Sequence, residues 1–315
     1  MTELIRVGTR ASALATTQSQ LVAAAITKLT GCQTELVGIT THGDTATGSL
    51  ASMGGTGVFV SALRDALLGG EIDVAVHSLK DIPTAAVAGI TLVATPLRED
   101  PRDALIARDG LTLGELPVGS RVGTGSPRRR AQLQALGLGL DLIDIRGNVD
   151  TRIAKVTNGE LDAVILARAG LNRLGRSGLI TEVIDPLQIL PAPGQGSLAV
   201  ECRTGDPVQE LLAPLDDAHT RACVEAERVV LAELEAGCAA PVGALAEVVE
   251  GEAGLELWIR AVALSPDGVT SVRRSASGSP DDAIGVGRKL AGEMLAEGAM
   301  ELITHQMQES NTQHG

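Results

Sequence analysis

Three consecutive arginines, Arg128, Arg129 and Arg130, close the segment Val122-Gly123-Thr124-Gly125-Ser126-Pro127-Arg128-Arg129-Arg130 in a chain whose formal net charge is −13. Positive charge gathered beside a glycine-rich turn in an acidic protein points to a bound anion. The flanking residues say how it would be held. Ser120-Arg121-Val122 reads as a short strand, Ser126 is a good N-cap, Pro127 suits the first helical position, and Ala131 to Leu136 continue a helix. Backbone N–H groups at that helix start would face the same anion as the arginines. The same three residues would also suit a solvated helix face.

Other residues of the same chemistry lie at other turns. Arg10 follows Gly8-Thr9, Arg146 and Arg152 lie in Asp144-Ile145-Arg146-Gly147-Asn148-Val149-Asp150-Thr151-Arg152, and Arg173 ends Ala169-Gly170-Leu171-Asn172-Arg173. A charge-assisted pair with a carboxylate is worth roughly 1.5–3 kcal/mol, so a set of these would hold a polyanion firmly. Asp81 sits in His77-Ser78-Leu79-Lys80-Asp81-Ile82-Pro83, directly after an apolar strand. A carboxylate at a strand's C-terminal end serves as a general acid or base, or holds a developing cation; a turn or cap role fits the spacing equally well. If the segment is extended, Lys80 and Asp81 point to opposite sides. Cys238 lies between Gly237 and Ala239-Ala240-Pro241, a small-residue loop after a helix, with no basic residue nearby in sequence to activate it. Sequence chemistry alone makes it an inert thiol.

The elements that position these residues repeat. Arg6-Val7-Gly8-Thr9 and Arg121-Val122-Gly123-Thr124 match, each followed by a serine and a helical run, with Ser12 the expected cap of the first. Leu14, Leu21, Val22, Ala25 and Leu29 are predicted to form that helix's apolar face, and Phe59, Ala62, Leu63, Ala66 and Leu67 recur at helical spacing. Gly70-Glu71-Ile72-Asp73-Val74-Ala75-Val76 and Gly159-Glu160-Leu161-Asp162-Ala163-Val164-Ile165 are the second echo, each an apolar run of the kind that makes a buried parallel strand, the first over 72–76. Two similar α/β domains follow. Residues 97–101 and 191–196 are the linker candidates, giving a discontinuous domain 1 (1–97 and 197–216), domain 2 (98–196) and a small α+β domain 3 (217–315). Two crossings make a hinge with a cleft, where α/β sheets place ligands. Residues 40–56 are expected to be a mobile loop and 306–315 a disordered tail.

Composition excludes several classes. No apolar run approaches a membrane span and the N-terminus lacks a signal peptide's hydrophobic stretch, which implies a cytoplasmic protein without membrane contact. One Phe, one Trp, no Tyr and an acidic balance disfavour nucleic acid as a partner. Cys32, Cys202, Cys223 and Cys238 lack zinc-site spacing, and His42, His77, His219, His305 and His314 form no ligand pattern, so no metal is implied.

Taken together, the chain resembles the porphobilinogen deaminase (hydroxymethylbilane synthase) family along nearly its whole length. The likeness lies in Gly8-Thr9-Arg10, Gly54-Gly55-Thr56-Gly57-Val58-Phe59-Val60, His77-Ser78-Leu79-Lys80-Asp81-Ile82-Pro83, Asp100-Pro101-Arg102-Asp103, the turns at Arg128 and Arg146, Leu190-Pro191-Ala192-Pro193-Gly194-Gln195-Gly196, Glu201-Cys202-Arg203 and Gly237-Cys238. The resemblance implies two periplasmic-binding-protein-like α/β domains with a hinge plus a small α+β domain, in a monomeric transferase. Such enzymes polymerise four porphobilinogen molecules, with loss of ammonia, into linear hydroxymethylbilane for heme biosynthesis. It implies a dipyrromethane cofactor on a thioether to Cys238, which overrides the inert-thiol reading. Asp81 becomes the catalytic carboxylate. Arg10, Ser12, Phe59, Lys80, Ser126, Arg128, Arg129, Arg146, Arg152, Arg173 and Gln195 become cofactor or substrate contacts. Within the likeness, Thr56 and Ser61 stand where many relatives carry lysines, Pro127 replaces a more usual aliphatic residue, and His42 stands where an arginine often precedes Gly-Asp. The alternative from another class is a non-enzymatic two-domain receptor for an acidic small molecule, which has no use for Cys238 or a third domain.

Overall fold

A computed structural model describes residues 4–39, 57–236, 240–252 and 254–303. Contacts divide the chain into two compact units, Met1–Glu99 with Gly196–Arg221 and Asp100–Gln195 with Ala222–Gly315. The first unit opens with β1 (Leu4–Thr9), α1 (Ala13–Thr30), β2 (Gln33–Gly38), α2 (Gly57–Leu68), β3 (Val74–Ser78) and β4 (Ile90–Ala94). The second contains β5 (Asp103–Ala107), β6 (Arg121–Gly123), α3 (Pro127–Ala135), β7 (Asp141–Ile143), α4 (Val149–Thr157), β8 (Ala163–Ala167), α5 (Arg168–Arg173) and β9 (Glu182–Val183). The chain returns to the first unit as β10 (Leu198–Arg203) and α6 (Val208–Leu212). It then continues through α7 (Ala218–Glu233), β11 (Val242–Gly251), β12 (Gly254–Leu264), β13 (Ser271–Gly278) and α8 (Ala283–Ala296).

Both units are built on the same five-stranded sheet, ordered β2-β1-β3-β10-β4 in the first and β7-β6-β8-β5-β9 in the second. Three strands run parallel, and the fourth, β10 or β5, is antiparallel to both its neighbours. The expectation of purely parallel surroundings for the two apolar runs is therefore corrected: β3 and β8 are parallel on one side only, because a strand from elsewhere in the chain enters reversed. The first of them starts at Val74 rather than Ile72.

The repeated Val-Gly-Thr has a packing cause. A Cβ on Gly8 would lie 2.4 Å from Ile72 Cδ1, and one on Gly123 would lie 2.6 Å from Leu161 Cδ1. In each unit this glycine leaves the space that a neighbouring aliphatic side chain fills.

The buried face of α1 differs from the expected one. Leu21 and Leu29 are exposed, and Gln18, Ser19, Val22, Ala23 and Ile26 are buried. The helix is rotated because its two buried polar side chains find partners: Gln18 Nε2 donates to Ser78 Oγ at 2.9 Å and Ser19 Oγ to the Gly8 carbonyl at 3.2 Å. The helix rich in leucine, alanine and valine at 57–68 buries Leu63, Ala66 and Leu67 as its spacing predicts.

The C-terminal region is an antiparallel meander, β11-β12-β13, with α7 and α8 packed on one face around Val230, Leu257, Leu290 and Met294. β13 pairs with β12 along its whole length, from Ser271 opposite Leu264 to Gly278 opposite Leu257. From its other face Leu245, Val262 and Leu264 join Leu190 and Ala131 of α3. No helix among the described residues is long and apolar enough to cross a membrane.

Candidate active site

In the first unit, the C-terminal ends of β1 and β3 open on a cavity of about 160 Å³ lined by Arg10, Ala15, Gln18, Val60, Val76, His77, Ser78 and Asp81. Arg10 occupies the loop between β1 and the Ser12 cap, whose Oγ accepts from the Ala15 N–H. The segment carrying Asp81 is not extended. Leu79–Asp81 form a single 3-10 turn, which removes the opposite-sided arrangement expected for Lys80 and Asp81. The turn is anchored where Leu79 N–H donates to the Ser197 carbonyl at 3.0 Å and where Gln18 holds Ser78. Asp81 and Lys80 are both half-buried. Phe59 lies on α2, but its side chain falls outside the described residues, as do Cys238, Thr56, His42 and the rest of 40–56. Ser61 is on the exposed side of α2.

Beneath this cavity lies a group that sequence reasoning passed over. Arg64 of α2 grips Glu201 of β10 with two hydrogen bonds, Nε to Oε2 at 2.9 Å and Nη2 to Oε1 at 2.6 Å, and His77 Nε2 stands 3.3 Å from the same Oε2. Glu201 is 2% exposed. Burial alone would raise its carboxyl, yet Arg64 and His77 bring it down to about 2. The available signal was a charged residue inside the apolar strand Leu198-Ala199-Val200-Glu201-Cys202.

In the second unit the arginine motif folds as its sequence predicts. Ser126 caps α3, accepting from the Arg129 N–H, with Pro127 at the first position. Arg128 and Arg129 are not on a solvated face, however. Both are buried and reach Asp103 at the start of β5, Arg128 Nη2 to Oδ2 and Arg129 Nη2 to Oδ1, each at 2.8 Å. Arg128 also donates to the Leu190 carbonyl and Arg129 to that of Ile165. Gln195 Nε2 adds bonds of 2.7 Å to Asp103 Oδ1 and to the Pro101 carbonyl. Asp103 is wholly buried, which by itself would raise its carboxyl; the charges of Arg128 and Arg129 hold it far below the usual carboxylate range. Arg130 instead donates to the Leu142 carbonyl.

Positive charge exceeds what Asp103 neutralises. Arg128 is pushed down chiefly by burial and also by Arg129, and Arg152 likewise by burial and then by Arg129. The Nε atoms of Arg128 and Arg129 are buried with no hydrogen-bond partner among the described residues. Buried cations crowded together with spare donors suit a multiply charged anion. Arg152 Nε donates to the Gly147 carbonyl, Arg146 is exposed 3.9 Å from Asp144, and Arg173 is half-buried at the end of α5. Among the described residues no cluster of three His, Cys, Asp or Glu side chains suits a metal ion, and Cys32 and Cys202 are free thiols.

Two family models match the chain. The first, described as "Porphobilinogen deaminase, dipyromethane cofactor binding domain", covers residues 5–210, and the second, "Porphobilinogen deaminase, C-terminal domain", covers residues 221–296. Among similar proteins, the porphobilinogen deaminase of Nocardia farcinica is 56% identical over 305 residues, covering 95% of this chain and 88% of that one. That of Mycobacterium bovis (strain BCG / Pasteur 1173P2) is 55% identical over 306 residues, covering 95% and 98%. Among solved structures, the methionine binding protein MetQ aligns with 68% of this chain and 90% of its own, at a TM-score of 0.43 and 12% identity.

Proposed function

The chain belongs to the porphobilinogen deaminase family of enzymes, and from that premise we propose that it is a hydroxymethylbilane synthase. It joins four porphobilinogen molecules head to tail, with loss of ammonia, on a dipyrromethane attached through a thioether to Cys238. Identity along 95% of the chain and 98% of a mycobacterial relative is the observation that carries this reading. When bound, dipyrromethane supplies the pyrrole primer to which units are added. The receptor alternative is not favoured, since the family is one of enzymes.

Asp81, on the turn that closes the cavity of the first unit, faces the reacting ring and stabilises the cation a substrate pyrrole becomes as ammonia leaves. Arg10 and Lys80 steer substrate carboxylates towards it, and Ser12 and Phe59 contribute further contacts to cofactor or substrate. Arg128, Arg129 and Arg152, with Ser126 and Gln195, hold acetate and propionate groups, and Arg146 and Arg173 extend that surface. The buried excess of positive charge supports this division of labour. Three working domains, 1–97 with 197–216, 98–196 and 217–315, agree with the three separate sheets. We place the enzyme in the cytoplasm, as a monomer.

Intact mass under denaturing conditions tests the proposal, because a thioether survives denaturation. The parent should carry two linked pyrrole units and Cys238→Ser none. Asp81→Ala should keep the added mass and lose most turnover; near-normal turnover removes Asp81 from the chemistry. A parent that gains no mass on incubation with porphobilinogen overturns the assignment.

A further inference from the structure

The cavity of the first unit contains one group that the function above leaves unused. His77, at the end of β3, lines it together with Asp81, Arg10, Gln18 and Ser78. The ring is 6% exposed, and its Nε2 lies 3.3 Å from Glu201 Oε2, which Arg64 holds from the other side. Three elements, β3, β10 and α2, thus fix one imidazole at the cavity wall. Arg64 and His77 keep the Glu201 carboxyl down at about 2 against the effect of burial, so an ionised acceptor faces Nε2. The contact lacks hydrogen-bond geometry, but the negative charge beside Nε2 favours a proton on that nitrogen and leaves Nδ1 as the basic one.

Each coupling makes two demands: a cation must be stabilised and a proton must leave carbon. A carboxylate that accepts the proton no longer holds the cation, so one aspartate does not meet both at once. Among the side chains lining the cavity, imidazole is the type that takes up and returns a proton near neutral pH. The charged groups around it are Glu201 from β10, Arg64 from α2, Arg10 from the loop after β1 and Asp81 from the turn after β3.

We propose that His77 is a second proton-handling residue of the reaction, held in one tautomer by the Glu201–Arg64 pair. The inference rests on the function proposed above. In the coupling, the C–N bond of the aminomethyl group breaks and its electron pair leaves on ammonia. A C–C bond forms to the α-carbon of the accepting pyrrole. The proton on that carbon passes to His77 Nδ1, and the imidazolium returns it to the departing ammonia or to water. Nothing is oxidised or reduced.

His77→Ala removes the base but leaves Glu201 paired with Arg64, so the variant retains its fold. With the pyrrole mass on Cys238 retained, kcat should fall about 100-fold with little change in KM, the range general base catalysis supplies. Imidazole added to the solution should restore part of it. A purely structural bolt predicts no such rescue, so a failure of imidazole to restore turnover overturns the proposal, as does near-normal kcat in His77→Gln. The 15N NMR spectrum of the resting protein gives a readout apart from activity: the His77 ring should show a fixed Nε2–H tautomer that Glu201→Gln abolishes. A mixture of tautomers in the parent counts against the proposal. A parent that does not consume porphobilinogen sinks the function itself, whereas an active parent with a fully active His77→Gln sinks only the role of His77.

Discussion

In both units the reversed strand beside the middle of the sheet carries a buried carboxylate, Glu201 on β10 in the first and Asp103 on β5 in the second. Their partners differ. Glu201 meets one arginine from α2 and one imidazole, so a single guanidinium faces the carboxylate and a ring stands at the cavity. Asp103 meets two arginines from a single helical turn, with Arg152 close by, and is left in deficit. The position of the serine cap contributes to this. In the first unit the arginine precedes the cap and stays in the loop at the cavity, as Arg10 does. In the second the arginines follow Ser126 and turn inward to Asp103. In the function proposed above, the same frame serves a reacting carboxylate, Asp81, in one unit and an anion clamp in the other.

Removing each carboxylate breaks this comparison at its strongest point. Asp103→Ala leaves two guanidinium groups buried without a counter-charge and should cost about 3–5 kcal/mol, measured by chemical denaturation. Glu201→Gln strands a single arginine and keeps an acceptor oxygen, so about 1.5–3 kcal/mol is expected. Equal losses would mean the excess charge in the second unit is already neutralised. Acid should reveal the same pairing. The folded value for Glu201, about 2, lies below its ordinary 4.5, so its stabilisation is present above 4.5 and is withdrawn as pH falls towards 2. The Glu201→Gln variant should show a flatter stability curve across that window; an unchanged curve would assign the acid sensitivity elsewhere.

Smaller changes sharpen the likeness between the frames. Gly8→Ala and Gly123→Ala each drive a methyl group into an aliphatic side chain, with overlaps at 2.4 and 2.6 Å, and should destabilise by a similar amount, about 1–3 kcal/mol. A large effect in one and none in the other would show that the repeated glycine has different uses. Ser12→Ala and Ser126→Ala each lose a cap and should cost about 1 kcal/mol.

The repeated frame was legible because its signals are local. Within each unit the Val-Gly-Thr glycine, the serine cap and, in the second, the arginines beside the cap lie within a dozen residues of one another, and the structure joins them as their spacing implies. What escaped depends on partners far away in the chain. Gln18 meets Ser78 across 60 residues and Arg64 meets Glu201 across 137. Hydrophobic periodicity therefore misplaced the buried face of α1, where polar side chains with distant partners displaced Leu21 and Leu29. The burial of Arg128 and Arg129 was hidden for the same reason: Asp103 precedes them by 25 and 26 residues and meets them only when β5 enters the sheet. The family likeness supplied the role of Cys238, which lies outside the described residues.

The reversed strand also orders events during synthesis. Among the described residues β4 pairs with β10 alone, which follows roughly a hundred residues later in the chain. At elongation rates of about 5–20 residues per second, the first sheet waits about 5–20 s on the ribosome with β3 and β4 lacking their shared neighbour. Glu201, the counter-ion of Arg64 and the neighbour of His77, arrives with that strand. The first unit therefore closes only after the whole second sheet has emerged, and until then its open strand edges are where a chaperone or a second nascent chain would bind.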